Sequence, residues 1–146
     1  MNIGDPDTPR WVQRLDNFGG AMVLLREGIE LVNDPAMPPI VAEGLIQRFE
    51  FTFELAWKTL KDYLVWRKVT LDRQGPADVI KAAFAAGYID EGAVWIEALD
   101  ARNLMSHVYR RQAFERVVRE IETCFMDRFE ALYDMLLIER VGLEDG

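Results

Sequence analysis

Residues 100–111, DARNLMSHVYRR, hold the only histidine of the chain, His107, with Arg102 before it and Tyr109, Arg110 and Arg111 after it. A guanidinium grips phosphate oxygens in a fixed fork, and an imidazole exchanges protons near neutral pH. Arg102 and His107 together therefore point to phosphodiester chemistry. In such a site the histidine takes the proton of an RNA 2′-hydroxyl or protonates the leaving oxygen. The arginine stabilises the charge that develops on the phosphoryl oxygens. This route requires no metal, and no metal or other cofactor is expected. Tyr109 could stack a base, offer its phenol for modification, or serve as an interface aromatic. One arginine and one histidine at this spacing also occur in many helical proteins, so a structural or partner-binding role stands beside the catalytic one.

The two residues are five apart, which on a straight helix separates them by about 140°. Convergence on one phosphate requires the helix to end or bend near Met105 or Ser106, or requires two copies of the stretch to face each other across a two-fold axis. Upstream, Trp95 and Leu99 mark an apolar face whose continuation carries Arg102 and Ser106. An inward arginine is costly unless an acid, a phosphate or water meets it. The alternative is a guanidinium that snorkels outward or pairs with a core carboxylate.

The rest of the chain reads as scaffold, all-α, an up-and-down bundle of about five helices in one domain spanning residues 1–146. The first helix is expected to start with Asp7 or Thr8 as cap and Pro9 at its first position. Its seam runs through Trp11, Leu15, Phe18, Met22, Leu25, Ile29 and Val32, at alternating steps of four and three. Gly19, Gly20 and Gly28 lower its helicity, which suggests close approach of neighbours there.

A second helix over residues 40–67 carries the widest apolar face, Ile46, Phe49, Phe53, Ala56, Trp57, Leu60 and Leu64, and is expected at the centre. Phe51, Leu55 and Trp66 form a second stripe, to be covered within the monomer or, preferably, by a second copy. Glu50, Glu54 and Lys58 fill a polar sector. They read as helix-supporting ion pairs rather than as a metal site, since no further ligand recurs at metal spacing. Pro76 opens a short helix burying Val79, Ile80, Ala83 and Phe84 and closed by Gly87, and Asp90 can cap the next. The last helix, over residues 112–140, buries Phe114, Val117, Val118, Ile121, Cys124, Phe125, Phe129, Leu132 and Leu136. Residues 1–9 and 139–146 are expected to be flexible ends.

With 146 residues, half of them apolar, the chain can bury a sizeable core without staples. The lone Cys124 reads as a small buried hydrophobe. No signal peptide or apolar run of membrane-spanning length stands out, so a cytoplasmic location is expected. The net charge of −8 argues against broad capture of nucleic acid and suits a basic protein partner.

The spacing Arg-x-x-x-x-His-x-Tyr, here Arg102, His107 and Tyr109, resembles the signature of HepT toxins in the HEPN superfamily. Residues 47–63, QRFEFTFELAWKTLKDY, are similar to the related nucleotidyltransferase substrate-binding proteins. The likeness extends from Trp11 to about Leu136. It implies a homodimeric HEPN-type bundle whose partner is a minimal nucleotidyltransferase. For toxin members it implies a metal-independent endoribonuclease in which the positions of Arg102 and His107 act on RNA. Asn103 matches a polar position that helps orient the phosphate, and the tyrosine matching Tyr109 accepts AMP from the nucleotidyltransferase, which silences the toxin. For the substrate-binding branch the resemblance implies instead a non-catalytic subunit that docks on the nucleotidyltransferase.

Overall fold

Trp11, Leu15, Phe18, Met22 and Leu25 recur on one face and are all buried, so α1 (Arg10–Val32) turns a continuous seam inward along α2 (Val41–Trp66). The computed structural model describes residues 6–145. After α2 follow α3 (Pro76–Ala85), α4 (Gly92–Met105), α5 (Arg111–Glu120), one π-helical turn (Ile121–Phe125) and α6 (Met126–Asp145). Because α5, the π turn and α6 form one uninterrupted rod, the bundle has five helical rods in up-and-down order. Strands are absent among the described residues, and no helix in them is long and apolar enough to cross a membrane.

The apolar face of α2 is buried throughout, and α2 packs against every other helix. It holds the centre because its face is the widest, as the periodicity predicts. Opposite it, Phe125 stacks on Phe49 with ring centroids 5.5 Å apart. Phe129 is fully buried among the rings of Phe18, Phe49, Phe53 and Trp95. The π turn accommodates one extra residue, which keeps Val117 before it, Ile121 and Phe125 within it, and Phe129 and Leu132 after it on the same buried side.

The glycines of α1 divide. A Cβ at Gly19 would lie 2.9 Å from the Tyr133 ring, and one at Gly28 would lie 3.0 Å from Leu45, so both permit close packing; Gly20 faces open space.

Several local expectations are corrected. The first helix begins at Arg10 with Pro9 itself in the cap position, one residue later than predicted. Asp90 does not cap α4; it pairs with Arg128, and Glu91 takes the cap position in a left-handed conformation at φ 52°. Phe84 is exposed rather than buried, because its ring lies over Gly92 at the start of α4, outside the core. Cys124, with Phe114 and Val118, is only half-buried at the core edge.

The second stripe of α2 is largely covered within the chain. Leu55 packs on the core, and Trp66 lies 5.5 Å from the Trp11 ring and 6.0 Å from Tyr63, leaving Phe51 exposed. That stripe therefore gives less support to a second copy than the sequence alone suggests. At the C-terminus, α6 continues helical through Asp145, past the expected end near residue 140. Of the ends expected to be flexible, residues 1–5 and 146 lie outside the described residues.

Candidate functional site

Helix α4 stops at Met105, with Ser106 as its C-terminal cap, and the chain leaves through a turn in which the N–H groups of His107 and Val108 both donate to the Leu104 carbonyl. The termination falls between Arg102 and His107, where the β-branched exit His-Val-Tyr leaves the helical path. The two residues therefore do not lie on a straight helix. Residues 108–110 are non-helical, Arg110 is extended, and α5 begins at Arg111.

Arg102 projects from α4 toward α2 and is met there by an acid. Its Nη2 donates to Glu54 Oε2 at 2.5 Å, and its Nη1 donates to Asn103 Oδ1 at 3.0 Å. The guanidinium carbon stands 5.8 Å from the centre of the Phe53 ring, which adds a cation–π contact. Glu54 is itself fixed by Trp57 Nε1, which donates to Oε2 at 3.1 Å, and by the Lys58 ammonium 3.2 Å from Oε1. Of the two ways to accommodate an inward arginine, pairing with a carboxylate is the one adopted. Two of the five guanidinium N–H groups are engaged by Glu54 and Asn103, which leaves three without a hydrogen-bond partner among the described residues.

Burial acts to raise the Glu54 carboxyl, but the hydrogen bonds from Trp57, Arg102 and Lys58 outweigh it and hold the group below the ordinary carboxylate value. One turn earlier on α2, burial pushes Glu50 upward, and the charge of Arg102 only partly offsets this. The polar sector of α2 thus carries one carboxyl biased toward its ionised form and one biased toward its neutral form. Among the described residues, no three His, Cys, Asp or Glu side chains gather as metal ligands.

His107 is exposed, and its ring makes no hydrogen bond among the described residues. Tyr109 is 82 % exposed and lines a groove between the 33–40 loop and α5. The chain therefore joins Arg102 to Asn103, sets His107 just beyond the helix end, and places Tyr109 farther out, on a different surface feature. Sequence reasoning missed Glu54 as the partner of Arg102. Its signal was a carboxylate beside the apolar face of the central helix, legible as an ion-pair member but not as one reaching across to α4.

These features can be set against known proteins. A curated relative is a Haemophilus influenzae protein named probable ribonuclease HepT, 32% identical over 82 residues, which are 54% of this chain and 56% of that protein. The chain thus spans about half the length of the relative it matches. A Haemophilus influenzae structure, described as revealing the fold of a substrate binding domain of a nucleotidyltransferase, superposes with a TM-score of 0.74 at 26% identity, covering 84% of this chain and 98% of that one. A Thermus thermophilus crystal structure gives a TM-score of 0.66, also at 26% identity, covering 84% and 97%. The family described as nucleotidyltransferase substrate binding protein like matches residues 13–137, nearly the whole helical bundle. The chain belongs to that family.

Proposed function

We propose that the chain is the HepT-like component of a two-gene toxin–antitoxin pair, a metal-independent cytoplasmic endoribonuclease silenced when a minimal nucleotidyltransferase transfers AMP to Tyr109. The observation that carries this reading is the end of α4 between Arg102 and His107. It leaves a guanidinium anchored on Glu54 with three donors to spare and an imidazole free at the helix terminus. Similarity to a protein named probable ribonuclease HepT supports the same reading.

In the cleavage step the 2′-oxygen attacks phosphorus, the O2′–P bond forms and the P–O5′ bond breaks. The 2′ proton goes to one imidazole, and O5′ receives a proton from an imidazolium. Each chain has one histidine, so a homodimer with two copies of the stretch facing one cleft supplies base and acid together. Arg102 binds the non-bridging oxygens, and Asn103 holds its fork in plane. In the silencing step the Tyr109 oxygen attacks the α-phosphorus of ATP, pyrophosphate departs, and the phenol proton passes to a base of the transferase. The added phosphate lies beside Arg110 and Arg111, two residues from His107, where it repels RNA and blocks its path.

Expression of the chain alone is expected to arrest growth, and the arrest is expected to vanish with His107→Ala. Co-expression of the nucleotidyltransferase is expected to relieve it and to add AMP to wild type but not to Tyr109→Phe, as read by intact mass. Growth unaffected by the wild-type chain would refute the toxin reading. The net charge of −8 and the family description favour a second reading, a non-catalytic subunit docked on a nucleotidyltransferase. It predicts stable co-purification with that partner and no arrest.

A further inference from the structure

The groove at Tyr109 has a volume of about 730 Å³ and lies between the 33–40 loop and α5. This falls within the range of about 300–1,000 Å³ typical of small-molecule sites. Ile40, 68 % exposed, the half-buried Phe114 and the exposed Tyr109 are among its lining residues. Arg111 and Arg119 line the same groove and have no ion pair among the described residues.

The local charge departs from that of the chain. Residues 110–119 carry four arginines against one glutamate, and the groove lining balances Arg111 and Arg119 against Glu43 and Glu115, in a protein whose net charge is −8. Of the four, only Arg116 is paired among the described residues, with Glu120. An apolar slot with an exposed aromatic ring and unpaired arginines suits a flat, apolar-faced ligand that carries phosphate. Glu43 and Glu115 also line the groove, and their carboxylates accept hydrogen bonds from exocyclic amino groups. The location fits as well. Tyr109, which lines the groove, is two residues beyond His107, so their Cα atoms are at most about 7 Å apart.

We propose that this groove is a base-binding subsite for single-stranded RNA, selective for bases with an exocyclic amino group, adenine, cytosine and guanine over uracil. The proposal rests on the ribonuclease reading for its biological setting. In the subsite a base stacks on Tyr109 and against Ile40 and Phe114, its amino group meets Glu43 or Glu115, and the adjoining phosphate lies on Arg111 or Arg119.

The test uses full-length His107→Ala protein, which leaves RNA intact, and fluorescein-labelled A8 and U8 oligonucleotides followed by anisotropy. A8 is expected to bind more tightly than U8. Adding Ile40→Asp or Tyr109→Ala is expected to weaken A8 about ten-fold and to erase the A8–U8 difference, with thermal melting unchanged because both side chains are exposed. Equal affinities of the parent for A8 and U8, no binding of either, or unaltered A8 binding by both variants would overturn the subsite. Loss of the nucleotidyltransferase partner with Ile40→Asp, while A8 binding stays intact, would identify the groove as a protein dock and overturn it too. The two readings separate. A protein that binds A8 through the groove yet cuts no RNA retains the subsite and loses the nuclease. One that cuts RNA equally well with Ile40→Asp loses the subsite alone.

Discussion

Arg102 and Glu54 lie 48 residues apart in the chain and are joined by a hydrogen bond of 2.5 Å between α4 and α2. Both side chains retain some exposure, 27% and 33%, so the pair is partly screened. A double-mutant cycle with Arg102→Ala and Glu54→Ala, read by urea unfolding, is expected to give a coupling of about 0.5–1.5 kcal/mol. Lys58→Ala, which leaves the Trp57 and Arg102 contacts to Glu54 in place, is expected to cost less than Glu54→Ala. Additivity within error would show that the contact has no energetic weight.

The two carboxyls of the α2 polar sector predict opposite pH behaviour. The folded value of Glu54 lies below 4.5, so its contribution is present above that ordinary value and disappears only as pH falls through the lower folded value. Glu50 is raised above 4.5, so its ionisation weakens the fold as pH rises through the carboxylate range. Glu50→Gln is therefore expected to raise the urea midpoint at pH 7 and to leave it unchanged near pH 4. A midpoint lowered at pH 7 would contradict this assignment.

Core and surface aromatics are expected to separate sharply. Phe129→Ala removes a fully buried ring in contact with four others and is expected to cost about 3–5 kcal/mol of unfolding free energy. Phe51→Ala, at an exposed position, is expected to leave unfolding nearly unchanged. If a second copy covers Phe51, sedimentation will show a weakened dimer in the same variant.

Much of the scaffold was legible because helical periodicity reports directly on which face is buried. The faces of α1 and α2 followed from spacing alone, and the end of α4 at Met105 matches one of the two routes, a helix end or a two-fold pairing, by which Arg102 and His107 were expected to converge. What periodicity does not specify is which faces meet. The meeting of Glu54 with Arg102 depends on how α4 lies across α2. So does the folding of Trp66 onto Trp11, which covers much of a stripe otherwise expected to seek a second copy. The π turn is not legible in the sequence because a stripe with one extra residue still reads as a single helix. Periodicity puts Phe84 on the buried side of α3, yet its ring finds the bare backbone of Gly92 rather than the core. The local positive charge of residues 110–119 was visible in the sequence but was hidden by averaging over an acidic chain.

The most direct measurement is RNA cleavage by the purified chain, without its partner and with EDTA present, comparing wild type with Arg102→Ala, Arg102→Lys and His107→Ala. Wild type is expected to cut, and His107→Ala and Arg102→Ala are expected to lose at least about 100-fold in rate, the usual reach of a general acid–base or oxyanion-stabilising group. Arg102→Lys is expected to recover little, because an ammonium lacks the planar fork held between Glu54 and Asn103. Undiminished cutting by His107→Ala, or no cutting by wild type, would contradict the account.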